Sequence, residues 1–185
     1  MLEDVFDRID KKLQARFPKA FSTLNRGTKL SELEKLENTI GYQLPNDIRS
    51  TLLWHDGQDG GPGLVNGFLL NSVKQITSGW SFYHKMGEEL HPEVLRQPPG
   101  VLGDRAWNPE WLFLMRSGRE TLCVDCTKSA ATEKSGPVFL WETYMYDTDF
   151  TIAESWSDFL MAYSNKIGDS EEFLDSPGIR FSESF

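Results

Sequence analysis

Cysteine is scarce: Cys123 and Cys126 are the only two in 185 residues, too few for a disulfide-built scaffold, and they point to a reduced, cytosolic compartment. No apolar run approaches the roughly 20 residues that span a bilayer. The opening MLEDVFDRIDKKLQARF lacks a signal-peptide core, so a cytoplasmic protein without a membrane partner is expected. Basic charge is also short. Nineteen Lys and Arg stand against 28 Asp and Glu, a net charge of −9, which argues against nucleic acid as a partner. Neither G-x-S-x-G nor H-E-x-x-H occurs, and GQDGG leads out of a predicted helix without the Lys-Ser/Thr of a phosphate loop. No enzymatic activity, cofactor or metal is expected.

What is present suits one soluble domain with an ample core. Leu2, Val5, Phe6, Ile9, Leu13 and Phe17 recur at spacings of three and four, predicting a helix over 2–17 that Pro18 ends. SELEKLENTIG predicts a second helix, with Ser31 and Glu34 in the capping-box pattern, Leu33, Leu36 and Ile40 inward, and Gly41 as its left-handed stop. A third runs through LPNDIRSTLLWHDG. Pro45 and Asp47 suit its first turn, Leu44 staples onto Ile48, and Leu52 and Leu53 continue the inner face. QDGGPGLVNG (58–67) reads as a mobile loop and GFLLN (67–71) as a short buried strand. Residues 72–90 form a helix with Val73, Ile76, Trp80 and Tyr83 on one face, and the proline-rich stretch 91–109 an irregular connection. Strands follow at WLFLMRS (111–117), ETLCVDC (120–126) and PVFLWET (137–143), the first two close enough for an antiparallel hairpin. A last helix carries Trp156, Phe159, Leu160 and Tyr163 behind a Ser155–Asp158 cap. Helices, then strands, then a helix predict an α+β fold.

Three stretches could carry chemistry. In LWHDGQDGG (53–61), His55 and Asp56 sit at a helix end before Gly57, where a histidine complements the dipole and Asp-Gly is ordinary turn chemistry. No third local group completes a proton relay, so the stretch reads as helix termination. Cys123-Val-Asp-Cys126 has redox and zinc spacing, but along a strand its thiols face opposite ways and no further ligands cluster, so two buried cysteines are expected. WNPEW (107–111) sets two indoles about an Asn-Pro turn, as core anchors or as part of a binding surface.

Charge is unevenly spread. Met1–Leu24 holds five basic and four acidic residues, whereas Trp141–Phe159 holds Glu142, Asp147, Asp149, Glu154 and Asp158 with no Lys or Arg. Carboxylates interleaved with Tyr144, Met145 and Tyr146 suit contact with a basic protein, charge steering the encounter and rings anchoring it. The candidate protein-binding residues are Asp56 and Asp59 on the glycine loop, Trp107, and Glu142, Tyr144, Tyr146, Asp147 and Asp149.

LPNDIRSTLLWHDGQDG (44–60), GFLLNSVKQITSGWSFY (67–83), WNPEWLFL (107–114), TLCVDC (121–126) and ESWSDFLMAYS (154–164), in this order, resemble the SUKH superfamily, specifically its Smi/Knr cell-wall-regulator-like branch. The resemblance covers about residues 28–167, leaving an N-terminal helix and connection (1–27) and an acidic tail (168–185) expected to be flexible. It departs from the family pattern at the turn RSGRE, short of glycine, and at Pro137, which starts a strand or marks an edge. The resemblance implies a mostly antiparallel sheet with helices packed against it, and a protein-binding role. Two roles follow from it: an immunity-type protein that occludes a basic toxin, many such toxins being nucleases, or a regulator or scaffold in cell-wall synthesis signalling. A compact domain with a short tail favours the first.

Overall fold

A computed structural model describes residues 2–90, 107–118, 120–126, 134–142 and 151–167, with the side chains of 87–90 and 142 left aside. Helix α1 (Leu2–Arg16) buries Val5, Phe6, Ile9 and Leu13, the stripe that the spacing predicts, and Pro18 opens a single further turn, α2 (Pro18–Phe21). In α3 (Leu30–Ile40) the inner face is Leu33, Leu36 and Ile40, and Gly41 closes the helix at φ 85°. The expected capping box does not form. The helix starts at Leu30, where the Lys29 carbonyl accepts the N–H groups of Glu32 and Leu33, so Ser31 is already inside the first turn.

Helix α4 (Asn46–Trp54) follows Pro45 and buries Asp47, Ile48, Thr51 and Leu52. Leu53 is 41% exposed, against the inward placement expected: Ile48 and Leu52 share a face at i, i+4, and the next residue turns about 100° away from it. Glu37 of α3 ties the two helices together, its Oε1 accepting the Leu44 N–H at 2.9 Å and pairing with Arg49.

The loop at 58–67, expected to be mobile, is held at several points. Buried Gln58 donates through Nε2 to Thr23 Oγ1 (2.8 Å) and to the Pro62 carbonyl (2.7 Å), and the Leu64 carbonyl accepts the buried Tyr163 hydroxyl. Glycine is required at position 57. Its φ is 80°, and a Cβ there would lie 2.4 Å from the Ser72 nitrogen.

The sheet is an antiparallel meander in chain order: β1 (Leu69–Leu70), β2 (Trp111–Ser117), β3 (Glu120–Asp125), β4 (Val138–Glu142) and β5 (Thr151–Ala153). Gly118, at φ 58°, turns the β2–β3 hairpin. Pro137 lies just before β4, where its missing donor costs no ladder bond and its carbonyl still accepts the Asp125 N–H at 3.0 Å. The short β5 had no sequence signal of its own. Helix α5 (Val73–Leu90) covers one face, setting Tyr83 against Phe113 and Trp141 with ring centroids 5.0 and 5.1 Å apart. Helix α6 (Trp156–Lys166) buries Trp156, Phe159, Leu160 and Tyr163. The observed fold is the α+β arrangement that the sequence predicts.

Asp47 joins these parts. It is fully buried and accepts from Ser135 N–H (3.0 Å), Ser135 Oγ (2.9 Å) and Ser157 N–H (3.2 Å). Trp156 then donates from its backbone to Ser135 Oγ and from Nε1 to Thr51 Oγ1, both at 2.8 Å. Asp47→Asn puts an N–H₂ group where the carboxylate now accepts, and should lower stability by about 3 kcal/mol. An unshifted urea midpoint, followed by tryptophan fluorescence, would refute this.

The Ser155–Asp158 cap forms, Ser155 Oγ accepting the Asp158 N–H at 3.1 Å. The Ser155 hydroxyl, and then Lys134 at 3.0 Å, hold the Asp158 carboxyl below the ordinary carboxylate value. A lowered folded value means the stabilisation is complete above the unfolded carboxylate pKa and is lost as pH falls through the folded one. Ser155→Ala should therefore cost more stability at about pH 6 than at about pH 3, the loss of the cap bond to the Asp158 N–H being felt at both, a difference that denaturation midpoints at the two pH values measure.

Candidate protein-binding surface

The segment LWHDGQDGG is built into the fold on every side. Trp54 Nε1 donates to Asp10 Oδ2 at 3.1 Å, and Phe6 stacks on Trp54 at 4.5 Å. His55 Nδ1 lies 2.6 Å from the Asn25 carbonyl, to which it must donate, and Nε2 is 3.3 Å from Asp10 Oδ1. Asp56 Oδ1 accepts the Val73 N–H at 2.7 Å, satisfying a free donor at the start of α5. The histidine thus latches α1 to the 25–26 connection, and the aspartate caps a helix. His84 stands elsewhere, stacked on Trp80 at 4.5 Å with Trp107 at 5.8 Å. The two histidines therefore do not share a site, and His91 lies outside the described residues.

Both cysteines are buried, as expected, and neither is in a disulfide. Burial pushes the Cys123 thiol well above its ordinary range and keeps it protonated, which is the unreactive form. Trp107, one of the candidate contact residues, is only 2% exposed. It packs edge-on to Trp80 at 5.9 Å and beside Tyr83, so it is a core anchor and not a docking side chain. An indole of that size, next to a turn, lowers the free energy more under α5 than in water.

Of the remaining candidates, Asp59 is exposed, and its Oδ1 accepts from Asn25 Nδ2 at 3.0 Å. Glu142 ends β4, and its cross-strand partner is Glu120, an acidic pairing that only the register reveals. Tyr144, Tyr146, Asp147 and Asp149 lie outside the described residues. Asp56 is thus committed to the scaffold, Asp59 stays at the surface, and the acidic stretch after Glu142 lies outside the described residues.

Two surface clefts had no counterpart in the sequence reading. One, of about 660 Å³, is mainly apolar and runs between α1, α4 and α6, with Phe6, Trp54, Leu53 and Met161 along it. The other, of about 680 Å³, lies between α5 and the β2–β3 hairpin and is bordered by Lys74, Phe82 and Arg116. The signal for Phe82 was available: it falls off the Val73–Ile76–Trp80–Tyr83 stripe and is 61% exposed. Among the described residues no helix is long and apolar enough to cross a membrane, and no group of His, Cys, Asp or Glu is placed to hold a metal ion.

The chain is similar to fungal regulatory proteins. It is 23% identical to a glucan synthesis regulatory protein of Neurospora crassa over 92% of this chain and 39% of that protein. It is 26% identical to the cell wall biosynthesis/cell cycle regulator smi1 of Schizosaccharomyces pombe over 87% of this chain and 35% of that protein. A KNR4/SMI1 homolog of Yarrowia lipolytica is 31% identical over 56% of this chain and 15% of that protein. The chain therefore spans well under half the length of these relatives. The family model described as SMI1/KNR4 (SUKH-1) matches residues 27–162, and the chain belongs to that family.

Proposed function

We propose that this chain is a protein-binding module in the regulation of cell-wall or glucan synthesis, acting by contact and catalysing no reaction. The observation that carries the reading is the family match over residues 27–162 together with relatives whose names are those of glucan-synthesis and cell-wall regulators. The site chemistry agrees with it. His55 and Asp56 are occupied in holding helices, and Cys123 is buried. The comparisons favour this regulatory role over the toxin-neutralising one expected from the sequence. The short tail no longer argues for the latter, because the relatives carry the matched region within much longer chains. The contact surface proposed for a basic partner is the acidic stretch Glu142, Tyr144, Tyr146, Asp147 and Asp149, with Asp59 at the glycine loop. The cytosol is the compartment proposed for it.

Disrupting the gene in its host should sensitise cells to a wall-perturbing dye and change their glucan content. Normal walls, with loss of resistance to a toxin encoded alongside, would replace this reading with the immunity one. Asp147→Lys with Asp149→Lys should slow association with a captured basic partner about tenfold at low salt, and an unchanged on-rate removes the patch. His55→Ala should lower stability by about 1 kcal/mol and leave the captured proteins unchanged. Turnover of a small molecule that disappears in this variant, with the fold intact, would overturn the non-enzymatic role.

A further inference from the structure

We propose that the cleft between α5 and the β2–β3 hairpin binds an extended acidic peptide segment that carries a large apolar side chain. The proposal rests on the protein-binding role above and gives it a second, oppositely charged contact.

Charge is the first argument. Lys74 on α5 and Arg116 on β2 border the same cleft and are both exposed, and neither forms an ion pair among the described residues. Asp59 also borders the cleft, and because its bond is to a neutral amide, Asn25, one acid stands against the two cations. Ion-paired cations elsewhere, Lys35 with Glu32 and Lys134 with Asp158, have their charge offset by a carboxylate neighbour. Two cations without such neighbours on one cleft attract an acidic ligand and repel a basic one.

The second argument is the surface between them. Phe82 stands 61% exposed at the rim, edge-on to Tyr83 at 5.1 Å, and Tyr83 lies 5.0 Å from Phe113 beneath. Gly79 keeps the helix wall low there, since a Cβ would already touch the Phe113 ring at 3.6 Å. An exposed ring beside half-buried Tyr83 and buried Phe113 offers a surface on which a partner's apolar side chain can pack. The cations come from the two elements that border the cleft, Lys74 from α5 and Arg116 from β2, with Phe82, Tyr83 and Phe113 in the same lining, a mixture that suits carboxylates flanking an apolar side chain.

Asn71 supplies the third argument. It is buried in the lining of the cleft, where Nδ2 donates to the Phe113 carbonyl at 2.8 Å and Oδ1 has no hydrogen-bond partner among the described residues. An orphaned buried acceptor destabilises the free protein, and a peptide N–H entering the cleft would satisfy it. Acidic-motif recognition by cations beside an apolar pocket is an established mode of peptide binding.

The test uses the full chain and a fluorescein-labelled peptide of about eight residues alternating Glu and Phe, read by fluorescence polarisation at low salt, with Gln-for-Glu and Lys-for-Glu versions alongside. Micromolar binding is expected for the Glu peptide, about tenfold weaker for the Gln peptide and none for the Lys peptide. Lys74→Glu and Arg116→Glu should each weaken it about tenfold and Phe82→Ala about fivefold, whereas Lys11→Glu, on α1, should change nothing. Equal affinity for all three peptides, indifference to the cleft variants, or tighter binding of a single-stranded oligonucleotide overturns the proposal. If no peptide binds while the Lys74→Glu/Arg116→Glu chain still captures the native partners, the cleft is overturned and the protein-binding role stands.

Discussion

Asp47 sits where three segments meet: the first turn of α4, the 134–137 connection ahead of β4, and the first turn of α6. A carboxylate withdrawn from water is costly unless its lone pairs are filled. Here they are filled by backbone and hydroxyl donors of Ser135 and Ser157 and not by a cation. The positive end of α6 adds a favourable field. The arrangement is specific because it is demanding. The Ser135 and Ser157 N–H groups can be satisfied only when α4, the connection and α6 are in register, and Trp156, bonded to Ser135 and Thr51, closes the ring. Hydrophobic burial drives these elements together, while this network selects one of the ways in which they could pack.

A second polar junction does the same for the N-terminal helix. The family match begins at residue 27, yet α1 contributes Ile9 and Leu13 to the core and is fully engaged with the matched region. Asp10 accepts from Trp54 and faces His55, while Arg8 and Lys12 donate to Asn165 at the end of α6. The histidine of LWHDGQDGG therefore does structural work between helices. Its two ring nitrogens face the Asn25 carbonyl and the Asp10 carboxylate.

The regular elements were legible because their signals are local. The apolar spacing of α1 and α5, Gly41 after α3, Pro137 before β4 and Ser155 before α6 each act within a few residues of where they stand. What could not be read depends on distant partners. Asp47 looks like a dipole-complementing surface acid until Ser135 and Ser157 arrive beside it. Ser31 looks like a cap until the Lys29 carbonyl has taken the donors a cap would satisfy. The glycine loop looks loose because glycine and proline report backbone freedom, whereas its order comes from Gln58 reaching Thr23 and Tyr163 reaching Leu64.

Surfaces follow the same logic with less help from pattern. Helical period separates Phe82 from its half-buried neighbour Tyr83, so one exposed ring was visible in principle. That Lys74 and Arg116 line one cleft with it is a matter of topology: β2 comes well after α5 in the chain, and the fold sets the two side by side. The same folding back hides Trp107, whose sequence setting suits a contact residue and whose place under α5 makes it core. In an acidic chain, then, overall charge describes long-range attraction, while the sign at a given cleft is set by the few charges that the fold gathers there.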